Sequence, residues 1–166
     1  LRIFSLFEYY GVFHHHFIYS KNQGKIVAYT QLIQLAIKDP SLIAFISTLP
    51  ANTYVIPIPW RSQHLKQRGF STAYELAYTC THIFSHLNMA AHHLKRIRKT
   101  QPQVQLNQHE RQHAQSLSLY ASDLSCQHIL LIDDVCTTGS SLLEATRACY
   151  SAGAASVHAF TLMSAL

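Results

Sequence analysis

No stretch of this chain reaches the roughly 18 consecutive apolar residues of a membrane-spanning helix, so insertion into a bilayer is not expected. Cys80, Cys126, Cys136 and Cys149 form no CxxC pair, which removes the spacing of a zinc ribbon or a dithiol centre. A disulfide framework is not indicated either, and a reducing cytoplasm is the expected compartment. Three of these cysteines sit in apolar patterns, where a free thiol usually acts as a small buried hydrophobe. The aromatic start, Leu1 to Phe17, lacks the basic region and small-residue cleavage site of a secretory signal. No internal repeat is visible. Charge is sparse, 13% of residues against 48% hydrophobic in 166, which predicts one compact globular domain spanning 1–166.

Acids are scarce too: 8 against 13 Lys and Arg, a net charge of +5. The excess is uneven. Arg61, Lys66, Arg68, Lys95, Arg96, Arg98, Lys99 and Arg111 face only Glu75 and Glu110 between 61 and 111. Such a stretch favours a polyanion, whether pyrophosphate or nucleic acid. The twelve histidines do not make a metal site. His14, His15 and His16 are contiguous, so a strand would put only two on one face. His82 and His86, read as i,i+4 on a helix, lack a third ligand.

Along the chain, 1–10 and 12–19 read as a hairpin or short strand pair around Gly11. Residues 22–38 carry a broad apolar helical face, broken at Asp39-Pro40, and 41–49 predict a second short helix. Tyr54 to Pro59 predicts a buried strand stopped by two prolines. A basic loop, 60–70, leads to an N-cap at Ser71 and a helix to about Asn88. His92 to Ile97 reads as a strand. Residues 98–126 are polar and Gln-rich and read as a long loop with a short helix near 107–117. Strand 128–133, helix 140–152, a cap at Gly153 and a strand from Ser156 to Met163 complete the chain. This alternation predicts an α/β fold around a mainly parallel sheet, with ligands at the carboxyl ends of the strands.

The most informative run is Ile129-Leu130-Leu131-Ile132-Asp133-Asp134-Val135-Cys136-Thr137-Thr138-Gly139-Ser140-Ser141. A buried strand delivers two carboxylates to its end, and a hydroxyl-rich turn then opens a helix. Uncapped amides and the helix dipole at such a turn attract phosphate. Adjacent carboxylates accept hydrogen bonds from sugar hydroxyls or hold a divalent cation through oxygen.

These residues resemble the 5-phosphoribosyl-1-pyrophosphate (PRPP) motif of type I phosphoribosyltransferases. The resemblance implies that Asp133 and Asp134 meet the ribose, with Mg²⁺ accompanying PRPP, and that Thr137, Thr138, Gly139, Ser140 and Ser141 wrap the 5-phosphate. Pro57-Ile58-Pro59, Arg61 and Arg68-Gly69-Phe70 are similar to the P-x-P…R-G-F-N stretch of ComF/GntX-like proteins. Arg96-Ile97-Arg98-Lys99-Thr100-Gln101-Pro102-Gln103 with Leu106 and Arg111 resembles their R-x-R-x-T-x-x-Q…L…R segment. The likeness covers 54–163, and 1–50 match only loosely. Ser71 and His113 stand where the family usually has Asn, and its N-terminal Cys₄ zinc module is not present in this sequence.

By that resemblance the protein is a cytoplasmic PRPP-binding factor of the ComF type, linked to DNA uptake in natural transformation and to other competence proteins. Arg61, Lys66, Arg68 and Gly69 take the pyrophosphate loop; Arg96, Arg98, Lys99 and Arg111 belong to a flap over PRPP or to a nucleic-acid surface. The reaction would be pentosyl transfer to an unnamed acceptor. Thr137 occupies the position where purine-salvage relatives often carry an acid, which argues against hypoxanthine or guanine salvage. The alternative is a single-stranded nucleic-acid-binding module on a catalytically inactive phosphoribosyltransferase fold, with Trp60, Phe70 and Tyr74 as stacking surfaces.

Overall fold

A computed structural model describes residues 1–8, 26–60, 70–98 and 117–165. In chain order the elements are β1 (Arg2–Glu8), α1 (Ile26–Ala36), α2 (Pro40–Ser47), β2 (Thr53–Pro57), α3 (Thr72–Ile83), β3 (Leu87–Met89), a 3₁₀ turn (Ala91–His93), β4 (Leu94–Arg98), β5 (Leu117–Ala121), β6 (His128–Cys136), α4 (Ser140–Ser151) and β7 (Ser156–Ser164). Five strands form one parallel sheet in the order β1-β7-β6-β2-β3, and β4 and β5 form a separate antiparallel ribbon.

The sheet has a core on each face. Leu130, Ile132, Phe160 and Leu162 pack under α1, α2 and α3 through Tyr29, Ile33, Phe45, Ile46 and Leu76. Ile129, Leu131, Val157 and Ala159 pack against α4 and the ribbon through Leu142, Ala145, Leu94 and Leu119. Burial on both faces is why the central strands read as unbroken apolar runs and not as alternations. Each parallel step requires a crossover, supplied by α3 between β2 and β3 and by α4 between β6 and β7.

Helix ends follow local chemistry. Asp39 caps α2 by accepting from the Ser41 amide at 2.8 Å, with Pro40 at the first helical position. The Ser71 hydroxyl accepts from the Tyr74 amide at 3.1 Å and starts α3. Gly153, at φ +92°, closes α4, and a Cβ there would meet the Ser125 backbone at 3.1 Å.

The first strand pairs parallel with β7, Arg2 opposite His158 through Glu8 opposite Ser164; its expected partner, residues 12–19, lies outside those described. Two expectations change. The helix from Ser71 ends at Ile83, because Leu87–Met89 leaves it to pair with β2. That places His86 beyond the helix, its Nε2 3.2 Å from the Ile46 carbonyl. The polar tract 98–126 contains a strand, Leu117–Ala121, matched residue for residue with Leu94–Arg98; 99–116, including the expected short helix, fall outside the described residues. Both missed strands owe their state to distant pairing partners, which local propensity does not register.

Candidate functional site

The connections out of β2 and β6 diverge. β2 leads through α3 toward β3, whereas its neighbour β6 leads through α4 across the other face to β7. The carboxyl ends of two adjacent strands therefore open on a crevice that no crossover covers, which is where ligands of doubly wound sheets sit. The acid pair lies there.

Ile129 to Ile132 are fully buried between β2 and β7. Strand alternation then sends the next two side chains to opposite faces. Asp133, half-buried, lines a concavity with Val135 to Leu142. Its Oδ1 accepts from the Asp134 amide at 2.9 Å. Asp134 is 7% exposed and turns toward the α1–α3 layer, where its Oδ2 accepts a short hydrogen bond from the Thr72 hydroxyl. Thr72, fully buried at the first position of α3, accepts in turn from the Tyr29 hydroxyl, 3.1 Å from its carbonyl oxygen. Burial, and then the negative charge of Asp134, hold the Tyr29 phenol well above its ordinary pKa, so it remains a donor.

Beyond the acids, Cys136 ends β6 at 2% exposure. Its thiol is pushed up by burial and by the Asp133 charge, so it is not a reactive thiolate. Thr137, Thr138 and Ser140 are exposed, and the Thr138 and Ser140 hydroxyl oxygens lie 2.9 Å apart. Gly139, at φ +70°, stands at the N-cap of α4 and has no side chain to cap it. Only a long contact, 3.4 Å from the Ser140 amide to Thr138 Oγ1, touches the first helical amide from this turn. A twelve-residue helix thus presents its positive end to a concavity rimmed with hydroxyls, and Asp133 stands at the other side. The arrangement suits a ligand with an anionic group at one end and hydroxyls a few ångströms away.

The structure brings Asp133 and Thr137 to Ser141 together and leaves Asp134 behind them, tied to Thr72. Arg61, Lys66, Arg68, Gly69, Lys99 and Arg111 lie outside the described residues. Arg98 ends β4. The Arg96 Nε donates to the Pro59 carbonyl at 2.6 Å, fastening the ribbon to the chain as it leaves β2. Phe70, offered as a stacking surface, is 8% exposed and packs on Tyr29 with ring centroids 6.0 Å apart, so it belongs to the core; Tyr74 is exposed. Among the described residues no three His, Cys, Asp or Glu side chains gather to hold a metal, and no helix is long and apolar enough to cross a membrane.

Sequence reading missed Thr72 and Tyr29. Thr72 stood visibly beside the Ser71 cap, but nothing local announces a partner 62 residues away. Tyr29 lay in an apolar helical pattern and read as plain core.

A family model described as "Phosphoribosyl transferase domain" matches residues 66–166, more than half of the chain. No curated protein matches it.

Proposed function

The chain belongs to the phosphoribosyl transferase domain family, and from that premise we propose that it binds PRPP at the carboxyl edge of β6 and acts in pentosyl transfer. The observation that carries this is the concavity joining Asp133 to the Thr137–Ser141 turn at the point where the crossovers diverge. In this reading the turn amides and the hydroxyls of Thr137, Thr138, Ser140 and Ser141 hold the 5-phosphate. Asp133 accepts from ribose hydroxyls, which fixes the sugar ring against the sheet end. The basic residues Arg61, Lys66 and Arg68 supply cations for the pyrophosphate, with Gly69 allowing close main-chain approach.

Displacement at the anomeric carbon builds oxocarbenium character on the sugar, so orientation and fixed charge carry the rate. Asp133, half-buried beside the concavity, is placed to favour that developing positive charge. Mg²⁺ fits this donor set only as a companion of the ligand: Asp133 is a carboxylate on the concavity, but most of the ion's ligands would be pyrophosphate oxygens and water. When bound it would neutralise charge on the leaving group. Thr137 has no acid to move a proton on an acceptor base, so acceptor activation belongs to residues outside this motif.

The finer assignment, a cytoplasmic ComF-type factor serving DNA uptake alongside competence proteins, rests on the Pro57-to-Phe70 and Arg96-to-Arg111 resemblances. Calorimetric titration of PRPP with Mg²⁺ into wild type and Asp133→Asn tests the site. Asp133 is the better target than the pair, because Asp134 also holds Thr72. Wild type should bind, and Asp133→Asn should bind about 10–100-fold more weakly, as befits loss of a hydrogen bond to a charged acceptor. Folded wild type that ignores PRPP would remove the proposal.

A further inference from the structure

Resting on that reading, we propose that Thr72, backed by Tyr29, is a positioning residue for the acid pair, and that the two acids divide their work: Asp133 touches the ligand, and Asp134 relays orientation from the helical layer. Three elements meet in one hydrogen-bond relay. The Tyr29 hydroxyl of α1 donates to the Thr72 carbonyl of α3 at 3.1 Å. The Thr72 hydroxyl donates to Asp134 Oδ2 on β6. The Asp134 amide donates to Asp133 Oδ1 at 2.9 Å. Tyr29 and Thr72 are fully buried, and Asp134 is 7% exposed. In such a dry setting the bonds are strong and their geometry is well defined.

The consequence is directional. Asp133 is half-buried and accepts from the Asp134 amide; a carboxylate at a solvent edge without such a hold would sample several rotamers. Fixing Asp134 from behind fixes the peptide whose N–H orients Asp133. The relay does for this carboxylate what outer-layer partners do for metal ligands, where their loss costs roughly 10–100-fold in affinity. It ends at Asp133, at the sugar end of the concavity, and none of its three hydrogen bonds is made to the Thr137–Ser141 turn.

The test measures two affinities on wild type, Thr72→Val and Thr72→Ser, each checked for folding by thermal melting. The ligands are PRPP with Mg²⁺, and inorganic phosphate alone. Thr72→Val keeps the branched shape and removes the hydroxyl. It should weaken PRPP about tenfold and leave phosphate unchanged, and Thr72→Ser should restore PRPP binding. A folded Thr72→Val that binds PRPP like wild type overturns the relay and leaves the PRPP reading intact. Equal losses for PRPP and phosphate also overturn it, since the effect would be a general disturbance. Wild type that binds phosphate but no PRPP overturns the reading and the relay together. Should Thr72→Val fail to fold, Tyr29→Phe keeps the ring and removes the donor behind Thr72: a loss of about threefold for PRPP alone supports the relay, and wild-type affinity overturns it.

Discussion

At the scale of single residues, chemistry and burial separate side chains that look alike. Asp133 and Asp134 are adjacent and identical, yet one lines a concavity and the other faces the helical layer. The histidines divide similarly. His158 sits on β7 opposite Arg2 of β1, with a buried Nδ1 that finds no hydrogen-bond partner among the described residues. Burial, then the neighbouring Arg2 and, more weakly, His128, lower its pKa below the ordinary value. A histidine whose folded pKa is lowered takes up its proton more readily unfolded. Its share of stability is therefore complete above about pH 6.5 and declines as pH falls below it. Urea titrations at pH 7.5 and 5.5 should show a smaller loss on acidification for His158→Gln than for wild type. An identical loss in both would mean that the buried nitrogen contributes nothing to the acid response.

At the scale of elements, side chains reaching main chain fasten the β4–β5 ribbon. The Arg96 Nε donates to the Pro59 carbonyl at 2.6 Å, and Glu144 on α4 accepts from the Leu119 amide at 3.0 Å. The ribbon also buries Leu94 and Leu119 against α4. Glu144→Ala removes the acceptor but keeps the apolar contact. Its cost should be modest, about 1 kcal/mol, as for a hydrogen bond with a charged partner at a half-exposed site. Hydrogen exchange should report a faster Leu119 amide, with the β6 amides unchanged. Unchanged protection at Leu119 would show that packing alone seats the ribbon. The same ribbon flanks 99–116, so its anchoring governs where the Arg96-to-Arg111 segment starts and returns.

At the scale of the whole molecule, the proposed ligand would sit where the end of β6, the turn and the start of α4 line one concavity. A ligand that binds only the folded state stabilises it by mass action. At one hundred times its dissociation constant, PRPP with Mg²⁺ should add about 2.7 kcal/mol. For a domain of this size that is roughly 5–10 °C in melting temperature. Scanning calorimetry of wild type and Asp133→Asn should show the shift in the first and little in the second. A shift of the same size in both would place the ligand elsewhere.

The run Ile129 to Ser141 declared its strand, turn and helix by itself, because burial on both faces, paired acids and a glycine before a helix are local patterns with local causes. The α/β class and the parallel sheet followed from strand–helix alternation for the same reason. Strand pairing was different. Leu117–Ala121 and Leu87–Met89 became strands only through partners elsewhere, and the first strand joined the last, with Arg2 opposite His158. The division between Asp133 and Asp134 was likewise a tertiary decision. Sequence places two carboxylates side by side, but which meets the crevice depends on which sheet face receives α3, and with it the Thr72 hydroxyl. Spacing along the chain carries no record of a contact made 62 residues away.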